Sequence, residues 1–401
     1  MTWDQTYAEE LFGPRSGSIE IRNLRGVVTG RLGDAVIEAE TLRAEAGVIT
    51  AIGAAPADAD VVVDAAGAVA IPGLCDHHAH LVFPDYSPRQ HVLGWVESYL
   101  HGGVTFMMSA CEVHQWGRPT DPVGVKALAI TAQRTWDRYR PGGVKAYGGS
   151  VICEPGLTRD DLAEVRDAGV WLLKVGFGAF AHPTEAAPIV AWARELGFVV
   201  MCHTGGASIP GSAAITGPDL LVIDPHIAGH LNGGTTSISR DEALLVIHES
   251  EMDLQLVQAG NLKEALFIVE TTRELGRWDR ITIGTDTPTG TGVMPLGVLK
   301  TLCELSSLGA VPPTDAIAFA SGNCARSIGK PQGILEVGRP ADIVLLNEPL
   351  GCTKPGPLEA MAHGDIPSVC AVVIDGQIRA LKSRNTVAPA REAHARGWIT
   401  R

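Results

Sequence analysis

Eight short apolar runs, each followed by a polar or amphipathic stretch, constrain the middle of this chain more than any other feature. They read AVAIPGLCDHHAHL, TFMMSA, KAYGGSVI, VWLLKVGF, FVVMCHT, HIAGHLN, MDLQLVQ and ITIGTD. Runs of this length with β-branched residues suit buried strands. The intervening segments TRDDLAEVRDAG, from Thr158, and TEAAPIVAWARELG, from Thr184, open with a Thr placed to cap a helix. Acids follow in the first turns, and Gly closes each segment. Strand–helix alternation repeated eight times predicts an α/β fold, a (β/α)8 TIM-like barrel; a doubly wound sheet would give the same local text.

The flanks follow a different grammar. IEIRNLRGVVTG, AVIEAETLRAEAGVITAIG and VVVDAAGAVAIPG precede the barrel text; GILEVGRPADIVLLNEP and SVCAVVIDGQIRALKSRN follow it. Short alternating runs with Gly turns predict small antiparallel sheets. The expected organisation is a polar N-terminal extension (1–18), flanking β segments (19–70 and 333–385), a barrel (71–332) and a C-terminal tail (386–401).

Composition excludes some functions. The formal net charge is −13 and no Lys/Arg block occurs, so a nucleic-acid partner is not expected. No apolar run is long enough to span a bilayer, and the start MTWDQTYAEELFGPR has no secretory pattern. The 8 cysteines include no CxxC pair, and Cys75, Cys153, Cys202 and Cys370 sit in strand-like text. Reduced, buried thiols in a cytoplasmic protein are expected.

The chemistry gathers at strand ends. In Asp76-His77-His78-Ala79-His80, alternate residues share a face, so His78 and His80 point together and can hold one metal ion. Asp76 shares that face and is placed to orient a ligand or contact the ion. Lys174 lies inside VWLLKVGF. A lysine there needs either a buried salt bridge or carbamylation by CO2, which makes it an anionic ligand. His203 closes FVVMCHT, His230 closes HIAGHLN and Asp286 closes ITIGTD. Metal-competent groups at the ends of five different runs suit the C-terminal rim on which barrel enzymes build their sites. His91, His101, His114, His182, His248 and His363 fit no ligand geometry and read as structural or exposed.

The set PGLCDHHAH, Lys174, His203, His230 and Asp286 resembles the amidohydrolase superfamily in its binuclear form. RAEAGVITAIG with VDAAGAVAIPG, and GILEVGRPADIVLLN with VVIDGQI, resemble that family's terminal β segments. Those segments join there into one small β-sandwich. DYSPRQ (85–90), HTGGASIPGS (203–212), HLNGG (230–234) and TDTPTGTGVMPLG (285–297) resemble members that open cyclic enamides.

The resemblance implies an enzyme that hydrolyses a non-peptide C–N bond in a small cyclic amide, such as 6-oxo-1,4,5,6-tetrahydronicotinate. It implies two divalent ions, zinc first, with iron or manganese as alternatives. His78 and His80 would hold the first ion and His203 and His230 the second; N6-carboxylated Lys174 would bridge them. Asp286 would be ligand and acid/base. Arg89 is the candidate for a substrate carboxylate. Thr204, Gly205, Asn232, Gln258 and Asn261 are candidate substrate contacts. A homo-oligomer, tetramer or dimer, is implied too. Alternatives are a hydantoinase, dihydroorotase, isoaspartyl dipeptidase, N-acyl amino acid hydrolase or deaminase of the same superfamily, or a non-catalytic barrel scaffold.

Overall fold

The eight apolar runs become parallel strands, because each is buried on both faces and every connection between them is long enough for a crossover. The computed structural model describes residues 17–82, 86–87, 92–112, 114, 117–207, 209, 211–288 and 290–397. One arc has the order Lys145–Tyr147, Val104–Ser109, Leu74–Ala79. The other runs Ser150–Ile152, Leu172–Val175, Val199–His203, Ile227–Gly229, Asp253–Val257, Ile281–Gly284. All their ladders are parallel.

The third run, KAYGGSVI, is cut in two. Lys145–Tyr147 pairs with the second run and Ser150–Ile152 with the fourth. Between them Gly148 lies against the Trp136 indole, where a Cβ would come within 2.1 Å of Cδ1, and Gly149 has φ 86°. Buried Glu112 takes up the amides at the break: its Oε1 accepts from Gly149 N at 2.7 Å and Ser150 N at 3.3 Å. No ladder joins the last run to the first among the described residues. That seam is bridged just past the strand ends, by Asp286 N to His78 O at 2.8 Å and His80 N to Thr287 O at 2.7 Å.

The two helix starts assigned to a Thr behave differently. Thr158 caps Arg159–Asp167 through a reciprocal box with Asp161, as expected. Thr184 does not cap the next helix. Pro183 starts a 3-10 turn, Pro183–Ala186, whose cap is His182, and the α-helix Ala187–Glu195 continues from it.

The flanking segments form two five-stranded sheets. One is ordered His394–Arg396, Val61–Asp64, Ser18–Arg22, Thr41–Glu45, Val48–Ile52. The other is ordered Gly26–Val27, Val69–Pro72, Ile343–Asn347, Ser368–Ile374, Gln377–Leu381. Ile21, Leu42 and Val63 of the first and Ile343, Leu345 and Val373 of the second share one apolar cluster. Residues 394–396, expected in a tail, instead pair antiparallel with Val62–Asp64 and extend the first sheet. The buried Lys145 ammonium ties the barrel text to these sheets, 2.7 Å from Asp342 and 2.8 Å from Asp375. No helix of the described residues is long and apolar enough to cross a membrane.

Candidate metal centre

Parallel strands deliver their last side chains to one rim, and here the rim is lined with imidazoles. Ring centroids connect His80 to His78 at 5.4 Å, His78 to His230 at 5.3 Å and His230 to His203 at 4.6 Å. Phe177 closes the circle, 6.2 Å from both His203 and His80. Lys174 Nζ lies 5.7 Å from the Phe177 ring. The six metal-competent residues therefore share one locus.

Ligand atoms gather in two sets, one of three and one of two. Asp286 Oδ1 is 3.0 Å from His80 Nε2 and 3.5 Å from His78 Nε2. His203 Nδ1 is 2.9 Å from His230 Nε2. Donors about 2.0–2.2 Å from a common ion lie roughly 3–3.5 Å apart, so both groupings have the right span for one ion each. The imidazoles also have the right charge state. Burial holds His203 down to about 4 and places His78 and His230 well below the ordinary histidine range, leaving neutral rings with a lone pair.

Lys174 is fully buried, and its Nζ donates to Met201 Sδ at 3.2 Å. No carboxylate pairs with it among the described residues, so the salt-bridge alternative is not met. Burial lowers its pKa, favouring the neutral amine. His230 and Asp286 take φ of 38° and 62°. Left-handed backbone at two non-glycine residues costs of the order of 1–3 kcal/mol each, and such strain concentrates at functional sites.

Supporting contacts escaped sequence reasoning. Gln255, fully buried at the centre of the seventh strand, sends Oε1 to His78 Nδ1 and accepts His230 N at 3.2 Å. Its Nε2 donates to His77 O at 2.7 Å. Strand alternation in MDLQLVQ, with an inward amide between apolar neighbours, is the signal that could have found it. Asp76, expected from the sequence to orient a ligand or contact the ion, points to the eighth run, accepting from Thr285 N at 2.9 Å and Thr285 Oγ1 at 2.5 Å; burial, partly offset by these bonds, pushes it up to about 7. His114, expected to be structural or exposed, is buried and stacks on His80 at 4.3 Å and on Phe177 at 4.8 Å. The loop that brings it there carries no periodicity. His182, His248 and His363 are exposed and His101 is buried, as expected.

The substrate candidates divide. Thr204 is buried at the end of the fifth run, and among the described residues its hydroxyl has no hydrogen-bond partner. Gly205 has φ 93° and pairs with Ile215. The Asn232 amide is spent on backbone, giving Nδ2 to Val257 O at 3.0 Å and accepting Val257 N at 2.8 Å. Asn261 caps the helix Leu262–Glu274. Gln258 accepts from Thr291 Oγ1 at 2.7 Å. Arg89 and His91 lie outside the described residues.

No family model matches the chain. It is 41% identical over 378 residues to an enamidase of Eubacterium barkeri, spanning 93% of this chain and 98% of that protein. A dihydroorotase of Pelotomaculum thermopropionicum is 25% identical over 351 residues, covering 72% of this chain and 80% of the relative. A crystal structure of enamidase, described as a new member of the amidohydrolase superfamily, superposes with TM-score 0.90 at 40% identity, covering 94% of this chain and all of that one. A D-hydantoinase structure shares the fold, with TM-score 0.66 at 18% identity over 93% of this chain and 97% of that one.

Proposed function

This chain belongs to the amidohydrolase superfamily, and from that premise we propose that it opens a small cyclic amide or enamide by hydrolysis of the ring C–N bond. The compound to try first is 6-oxo-1,4,5,6-tetrahydronicotinate. The carrying observation is the convergence of His78, His80, Lys174, His203, His230 and Asp286 around two facing sets of donor atoms.

The donor set fits a pair of divalent ions. His78, His80 and Asp286 would hold one, His203 and His230 the other. Only the neutral amine adds CO2, and burial of Lys174 beside a thioether favours that form; the resulting carbamate would supply an anionic ligand that the site otherwise lacks. Imidazole and carboxylate donors suit zinc, with iron and manganese as the alternatives. When bound, such ions activate water near neutral pH and polarise the scissile carbonyl.

The chain's own groups do the rest. The Asp286 carboxylate, partly exposed at the rim, takes a proton from the attacking water and returns it to the departing ring nitrogen. Gln255 fixes the His78 ring, and Asp76 holds Thr285, the residue before Asp286. Phe177 walls one side of the site. The Thr204 hydroxyl, unpartnered among the described residues, offers the substrate a hydrogen bond, and Arg89 is the candidate partner of its carboxylate. One water opens the ring to a carboxylate and an enamine. A second water converts the enamine to an aldehyde and ammonia without further catalysis.

The same reading carries a closed (β/α)8 barrel, a β-sandwich from the terminal segments and a homo-oligomer in the cytoplasm. The strand order supports the barrel, the shared apolar cluster the sandwich, and eight cysteines without a disulfide a reducing compartment; the homo-oligomer rests on the resemblance alone. Turnover is the test: ammonia release from 6-oxo-1,4,5,6-tetrahydronicotinate is compared with hydantoins, dihydroorotate and N-acyl amino acids. Preference for the enamide by about 100-fold or more in kcat/KM supports the reading; brisk turnover of another class with none of the enamide overturns it.

A further inference from the structure

A second ligand cluster lies beside the first and shares one residue with it. The loop after the second strand folds Cys111 and His114 onto the far side of the His80 ring. Cys111, His114 and His80 each present a ligand atom within 4.8 Å of the others, and all three are buried. His80 Nδ1 is 3.2 Å from Cys111 Sγ, while its Nε2 faces Asp286 at 3.0 Å. The two nitrogens of one imidazole therefore serve two clusters. On a tetrahedral ion with S at about 2.3 Å and N at about 2.0–2.1 Å, sulfur and nitrogen ligands stand roughly 3.5 Å apart. The observed spacing needs only a small opening. The Phe177 ring covers His114 from the other side, and Cys111 supplies the cluster's one thiol.

We propose that Cys111, His114 and His80 Nδ1 form an additional site for a thiophilic divalent cation such as zinc or cadmium. Thiolate and imidazole together select soft ions over magnesium or calcium. Coordination replaces the Cys111 Sγ proton, which leaves to solvent. When His80 Nε2 is also engaged, the ring's remaining N–H proton leaves as well, so the ring bridges the two sites. An ion there pulls the His80 ring toward Cys111 and changes its donation through Nε2, and excess zinc or cadmium therefore lowers activity at saturating substrate.

The idea rests on the proposed function only for that inhibition; binding itself is read from sulfur. The test titrates the metal-loaded enzyme with cadmium and follows the thiolate-to-cadmium charge-transfer band in the ultraviolet. One equivalent should develop the band. C111S should abolish it, H114Q should weaken binding at least about tenfold while leaving the thiol in place, and C352S, which alters the one cysteine that is not buried, should leave the band unchanged. No band in the wild-type enzyme, or an equal band in C111S, overturns the site and leaves Cys111 as a positioning partner of the His80 ring. Absence of enamide turnover would sink the proposed activity without touching this result.

Discussion

His203 Nδ1 and His230 Nε2 meet 2.9 Å apart, although 27 residues separate them in the chain. Adjacent parallel strands bring them together: Val199–His203 pairs with Ile227–Gly229 in a register that sets His203 beside Gly229. His230 then turns into left-handed backbone, and its ring faces inward. Two neutral imidazoles so close have one obvious common use, and the predictions below follow from it.

Gln255 should act through the rings it holds. Q255L removes the acceptor of His78 Nδ1 and of His230 N while keeping the bulk. Metal affinity should fall about 10- to 100-fold, the usual effect of losing a partner that orients a ligand. Competition against a fluorescent chelator measures it, and unchanged affinity would contradict the assignment.

Lys174 should be needed for the ions but not for the fold. K174M keeps the bulk of a fully buried side chain and removes an amine that has a sulfur neighbour and no carboxylate partner among the described residues. Metal retention should drop, while the metal-stripped protein should melt no lower than the wild type. K174E, which restores a carboxylate, should recover part of the metal content. A loss of about 3–5 kcal/mol in the stripped K174M protein would instead indicate a broken buried ion pair.

Gly176 should be intolerant of a side chain for a reason tied to the site. It has φ 125°, and a Cβ there would come within 2.2 Å of the His203 Cβ. G176A should cost about 1–3 kcal/mol and should reduce metal content, because the His203 side chain must move. Urea unfolding and elemental analysis on the same preparation separate the two effects. Full metal content in a folded variant would show that His203 is not displaced.

Asp161 sets an acid limit on one helix. Its bonds to Lys126 first, then to Thr158, hold its carboxyl down to about 2 from an ordinary 3.8. The unfolded chain therefore takes up this proton first as pH falls. The contribution is fully present above about pH 3.8 and is lost as pH drops through the window to about 2. The stability gap between wild type and D161N should be widest above pH 4 and close toward pH 2; a constant gap would contradict the sign.

Much of this architecture was legible because strand periodicity and strand-end chemistry reinforce each other. Every barrel strand overlaps one of the eight apolar runs, and the six metal-competent residues named from those runs lie at one rim. What escaped is what lacks periodicity. The break at Gly148-Gly149 depends on a Trp136 ring and a Glu112 carboxylate from other elements. His114 and Cys111 reach His80 through a loop whose path no repeat encodes. The C-terminal strand His394–Arg396 is only three residues long, and its place comes from pairing with Val61–Asp64, not from its own text. Asn232 and Asn261 looked like substrate contacts because they flank strand ends, yet backbone claims both side chains: Asn232 accepts from Val257 N, and Asn261 caps the helix that follows.

Anomalous diffraction from crystals of gently purified protein addresses the metal centre directly. Two peaks are expected, one against His78, His80 and Asp286 and one against His203 and His230, with added density on Lys174 Nζ between them. A fully folded, active enzyme with no anomalous scatterer at either position would contradict the account.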